Sequence, residues 1–191
     1  YSQQIFLQSE INRSGDIYSI AFEYDGQDYG LTEKWDIYIG HTTKSSFDGN
    51  SDWVSIAGMT QVYSDDVFTP GDPGFFSINL TQSFEYNNVD NLIIAVREKS
   101  AGGLVPNGDY YIQSASKRSI RYVSNTLLPD PLSPPTGQRL NYVSSLQLAF
   151  VDGPTIVVNE SLDEFYTCSG VADVQSFTVS AYQLINDLYI A

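Results

Sequence analysis

The sequence holds one histidine, His41, in the run His41-Thr42-Thr43-Lys44 that follows an alternating apolar stretch. Acid–base chemistry needs a proton-carrying group held against a nucleophile, a second base or a metal. No second histidine is present and no serine sits in a nucleophile-elbow motif, so His41 reads as a structural or exposed residue. Carboxylates are plentiful, and Asp25 with Asp28, Asp65 with Asp66, and Glu98 are the kind of groups a glycosidase uses in pairs. Their separations are not legible in a sequence, and acidic loop residues are ordinarily solvated turns. The expectation is a chain that is not an enzyme by itself.

Calcium chemistry has better material. The ion takes several oxygen ligands from carboxylates, amides and backbone carbonyls, and Asp25-Gly26-Gln27-Asp28 and Asn87-Asn88-Val89-Asp90-Asn91 concentrate such donors. Asp25, Asp28, Asn87 and Asp90 are therefore the candidate metal ligands. The spacing fits no EF-hand, and Asn and Asp equally make turns, so the residues alone leave both readings open. Cys168 is the only cysteine, which excludes an internal disulfide and a cysteine-built zinc site.

Exposed Tyr or Trp beside polar groups can stack a sugar ring or anchor a protein partner. Trp53 and the pair Tyr110-Tyr111 flank loops and are the candidate ligand contacts, whereas Trp35 alternates with Ile37 and Ile39 and belongs to a core. Twenty-three acidic against nine basic residues give a net charge of -14, a field that repels nucleic acid and anionic membrane surfaces. No run of about 18 apolar residues offers a spanning helix, so no membrane insertion is expected. The chain begins without Met and no signal peptide precedes Tyr1, which reads as a processed or excised piece. Sequons stand at Asn12, Asn79 and Asn159.

The elements that must position these residues are strands. Around the unbroken apolar run Leu92 to Val96, which predicts a strand buried on both faces, lie many segments rich in Tyr, Phe, Ile and Val and bounded by turn residues. Strands are expected at residues 4–11, 17–24, 34–40, 60–63, 67–68, 75–80, 110–113, 119–123 and 145–151. Along residues 17–24 the period of two puts Tyr18, Ile20, Phe22 and Tyr24 on one face, and along 34–40 it sends Asp36 and Tyr38 outward. Ser64-Asp65-Asp66 reads as a break between two short strands. Loops are expected at residues 45–52, 97–109 and 127–138, the last because its prolines cannot join a central ladder. No helical period persists over a useful window. Asp152-Gly153-Pro154 marks a boundary, after which residues 155–158, 175–180 and 186–191 look strand-like but are too few to stand alone.

The stretches Tyr1 to Ile11, Trp35 to Phe47 and Phe84 to Val96, together with Arg118 to Tyr122, resemble the cleaved-adhesin family, which includes the haemagglutinin/adhesin domains of gingipains and of other secreted surface proteins of Bacteroidetes. The resemblance covers residues 1–151. It implies an all-β sandwich of jelly-roll type, export by the type IX pathway to the medium or outer cell surface, structural calcium, and adhesion to a glycan or to a host or cell-surface protein. Residues 152–191 resemble a linker and the start of an immunoglobulin-like repeat, an incomplete β appendage from a neighbouring domain. Two other roles stay open: a targeting domain of a secreted hydrolase, and a structural spacer in a surface filament or repeat array.

Overall fold

The computed structural model describes residues 1–26, 32–68, 70, 72–100 and 110–151, and the strands 155–158 and 179–182. The chain divides into two compact units, Tyr1–Val151 and Asp152–Ala191. In the second, strands Thr155–Val158 and Val179–Tyr182 pair antiparallel, with Val158 opposite Val179. The third expected tail strand, at 186–191, lies outside the described residues, as does Cys168.

The first unit runs β1 (Ser2–Phe6), a single helical turn α1 (Gln8–Ile11), β2 (Gly15–Tyr24), β3 (Thr32–Thr42), β4 (Thr60–Phe68), β5 (Gly74–Tyr86), β6 (Asn91–Glu98), β7 (Ile112–Arg121), β8 (Gln138–Ser144) and β9 (Leu146–Phe150). Six strands form one sheet in the order β4-β3-β6-β1-β7-β8, and three form a second in the order β5-β2-β9. Every pairing is antiparallel. The result is an all-β sandwich.

An apolar run without alternation has no face to give to water, so β6 must be covered twice. Leu92 and Ile94 point between the sheets, where they meet Trp35, Ile37 and Ile39 from β3 and Ile20, Phe22, Ile78 and Phe84 from the smaller sheet. Ile93 points the other way, into a second cluster with Ile5, Ile120 and Phe47. That cover comes from the connection between β3 and β4, which lays Phe47, Trp53, Val54 and Met59 on the outer face of the larger sheet. Phe47 is completely buried, and its N–H donates to the carbonyl of Lys117 at 2.8 Å. Burying a side chain of this kind stabilises the fold by about 2 kcal/mol. The segment at 45–52 is the expected loop, and Phe47, its one large apolar residue, makes it a lid with an apolar plug.

Several expectations are corrected. The first strand stops at Phe6, because Leu7 opens α1 with Glu10 bonded back to the Leu7 N–H. A register shift between Ile17 and Ser19 turns Ile17 inward with Ile20 and leaves Tyr18 46% exposed, so Tyr18 does not share the face of Phe22. Ser64-Asp65-Asp66 does not break a strand: β4 is continuous, and as an edge strand it tolerates acidic residues facing solvent. The expected strands at 110–113 and 119–123 are joined as β7, with extra residues bulged out between Ser114 and Ser119 around Lys117 at φ 58°. Strand β8, unexpected from the sequence, is an edge strand whose residues are mostly half-buried, which blurs its alternation.

Candidate functional site

The three candidate metal ligands that are described, Asp25, Asn87 and Asp90, do not converge. Asn87 and Asp90 lie beyond the end of β5 that pairs with Gly15, whereas Asp25 follows the opposite end of β2, where Tyr24 pairs with Gly74. Nine residues of strand separate those ends, about 30 Å. Asp28 lies outside the described residues. At the 87–90 turn, Asn87 Oδ1 accepts from the N–H groups of Val89 (2.9 Å) and Asp90 (3.0 Å), and its Nδ2 donates to Asp90 Oδ2 at 2.8 Å. The Asp90 carbonyl is taken by the Tyr86 hydroxyl at 2.7 Å. These donors are spent on the turn, and one carboxylate is too little anionic charge for a calcium cage. Among the described residues no three His, Cys, Asp or Glu side chains group as a metal site.

His41 is exposed on β3, its ring against Phe84 (4.9 Å) and Tyr86 (5.8 Å). Its Nε2 accepts from the Asn87 N–H at 3.2 Å, which ties the strand end to the turn.

Asp36 is the larger correction, for it is expected in water and is 4% exposed. On the outer face of the sheet it accepts from Lys99 Nζ, from Ser64 Oγ at 2.6 Å and from Gln61 Nε2 at 3.2 Å, with Arg97 Nη1 at 3.7 Å. Burial works against its charge, but the bonds from Lys99 and Ser64 and the two cations outweigh that and hold the carboxyl below its usual range. Arg97 Nε has no partner among the described residues. With the carboxylate saturated by donors, this cluster is an internal brace.

The aromatic candidates divide. Tyr110 lies against the inter-sheet core, its ring 5.4 Å from Tyr24 and 6.1 Å from each of Phe22, Trp35 and Phe76. Desolvation there raises its hydroxyl pKa above the usual tyrosine value. Tyr110 is thus mainly a packing residue. Tyr111, the next residue along, is 50% exposed, while its backbone bridges Glu23 and Ser145. Trp53 is half-buried and lies 5.1 Å from the Tyr1 ring, with its Nε1 donating to the Pro135 carbonyl at 2.8 Å.

Trp53 leads to the feature that the sequence reading missed. Beyond the last pair of β7 and β8, where Arg121 stands opposite Gln138, lies a cleft of about 430 Å³ lined by Arg121, Tyr122, Val123, Thr136, Gly137 and Gln138. The lid holds it in shape. Asn50 accepts from Gly137 N through its carbonyl (2.7 Å) and from Arg139 N through Oδ1 (3.0 Å), while Ser51 and Thr136 hydroxyls meet at 3.1 Å. The Arg139 guanidinium donates to the carbonyls of Phe47 (3.0 Å) and Asp48 (2.7 Å). Asp130 and Ser124 cap turns in the proline-rich connection, which is ordered but exposes Leu127, Leu128 and Leu132.

The stretch of sequence that supplies the cleft is also unusual in charge. From Tyr110 to Val151 the chain has Lys117, Arg118, Arg121 and Arg139 against Asp130 alone, a local excess of cations in a protein of net charge -14. That asymmetry was the available signal. A second depression of about 250 Å³ lies along β9, between Phe6, Glu10, Ile11, Leu146, Leu148 and Phe150. No protein-family model, characterised protein or solved structure matches the chain.

Proposed function

We propose that residues 1–151 are a non-catalytic extracellular binding module, of jelly-roll type, that attaches a larger secreted surface protein to a glycan or protein ligand. The observation that carries this reading is the cleft at the β7–β8 junction. It combines a cationic side chain, hydroxyl and amide groups and an aromatic residue on a frame fixed by the lid. Such a surface is suited to recognition. The resemblance to cleaved-adhesin domains supports the same role and an address at the outer cell surface. The exposed leucines of the adjoining loop widen the contact area available to a partner.

The test is binding of the purified chain to a glycan array and to intact cells, each with and without calcium. Saturable binding to either surface is expected. Absence of binding to both would overturn the reading.

A further inference from the structure

We propose that the β7–β8 cleft takes a saccharide bearing a carboxylate, with Arg121 as the group that grips it. The inference rests on the reading of residues 1–151 as a binding module and names its ligand class. Its starting point is how the five arginines are used. Arg97 is paired with Asp36, Arg118 is paired with Glu10, and Arg139 is bonded to two lid carbonyls. Arg13 lies over the Phe150 ring, 4.9 Å from its centroid. Of the five arginines only Arg121 is exposed and without a side-chain partner among the described residues, and it lines the cleft.

An uncommitted guanidinium is a planar fork of donors matched to a carboxylate, which it can hold through two parallel bonds. A neutral sugar has no use for that charge. The rest of the lining suits a pyranose: Tyr122 and Val123 offer apolar surface to ring C–H groups, and Thr136 and Gln138 offer donors and acceptors to ring hydroxyls. A volume of about 430 Å³ lies in the range of small-ligand sites and accommodates a short oligosaccharide segment.

The acidity of the whole chain does not forbid an anionic ligand here. Exposed charges are screened over about 8 Å at physiological salt, so a single carboxylate held by Arg121 is little affected by acids beyond that distance. A densely charged polyanion would meet the whole field. The cleft is also preorganised, since Asn50 holds Gly137 and Arg139 and Trp53 holds Pro135, so little ordering has to accompany binding.

The experiment is calorimetric titration of the full chain with two probes, a galacturonic acid trimer and the neutral galactose trimer of the same linkage. The wild type is compared with Arg121→Ala and Arg121→Lys. The acidic trimer is expected to bind and the neutral one to bind at least tenfold more weakly. Arg121→Ala should weaken the acidic trimer roughly ten- to hundredfold, with Arg121→Lys in between and the melting temperature unchanged. Equal affinity for both trimers, or acidic-trimer binding indifferent to Arg121→Ala, would overturn the assignment. Failure of the acidic trimer alongside binding to cells or to neutral glycans would sink the ligand class and leave the module reading standing. Failure on every surface would remove both.

Discussion

Gly137 lies so close to Trp53 that a β-carbon on it would sit 2.6 Å from Trp53 Cζ2 and 2.7 Å from the carbonyl oxygen of Arg121. The indole cannot swing away cheaply, because its Nε1 is bonded to Pro135 and its ring lies against Tyr1. The carbonyl is backbone and cannot move without shifting the end of β7. Glycine is therefore demanded by space, and the strand end, the loop and the indole are locked together beside the cleft.

Gly137→Ala should accordingly destabilise the fold by about 1 to 3 kcal/mol, the usual cost of overpacking a close contact. Urea denaturation followed by tryptophan fluorescence measures this. A change below about 0.5 kcal/mol would show that the loop relaxes freely and that the cleft wall is soft.

The brace at Asp36 yields a prediction about acid. Its carboxyl has a folded pKa below the unfolded one, so its stabilisation is present above the unfolded value of about 4 and is lost as pH falls through the folded pKa. Asp36→Asn removes the charge that faces Lys99 and Arg97, and should cost about 3 kcal/mol at neutral pH. It should also flatten the dependence of stability on pH below about 4. Parallel acid-side stability curves for variant and wild type would show that Asp36 carries no linked proton.

The turn after β5 separates turn chemistry from metal chemistry. Asn87→Ala deletes the acceptor for two backbone N–H groups and the donor to Asp90, a loss of about 1 kcal/mol at an exposed site. The loss should be the same in excess chelator and in millimolar-scale calcium, since an ion bound only by the folded state would add stability by mass action. A penalty that appears only with calcium would return Asn87 and Asp90 to the role of ligands.

What the sequence made legible follows from how local each signal is. Leu92 to Val96 could be placed because a run without alternation carries its burial in itself, and Trp35, Ile37 and Ile39 because a period of two needs only neighbours. Asp36 was misplaced by that same rule: the acidic residue faces outward on the strand, but Arg97 and Lys99, some sixty positions away, roof it over. Tyr18 was misplaced because one bulge reverses which face a side chain takes. Tyr110 was legible as aromatic and near a loop, yet only the bridge to Tyr24 shows that it turns inward. The cleft was out of reach of local pattern, since residues 121–123 and 136–138 are made neighbours by β7 and β8, and β8 itself was unseen.

The last prediction concerns the lid. If the β3–β4 connection were a decorative loop, truncating Phe47 would cost little. The structure makes it the plug over Ile5, Ile93 and Ile120 on a sheet face that has no second sheet above it. Phe47→Ala opens a cavity beside β6 and exposes apolar surface on the central strand, and should cost about 3 to 5 kcal/mol. The same segment carries Asn50, which holds Gly137 and Arg139, so the variant should also lose order at the cleft. Hydrogen exchange reads both effects: the amides of residues 136–139 should lose protection more than those of β2 and β5 on the far sheet. If protection falls uniformly, or only at residues 44–58, then the lid and the cleft are not coupled.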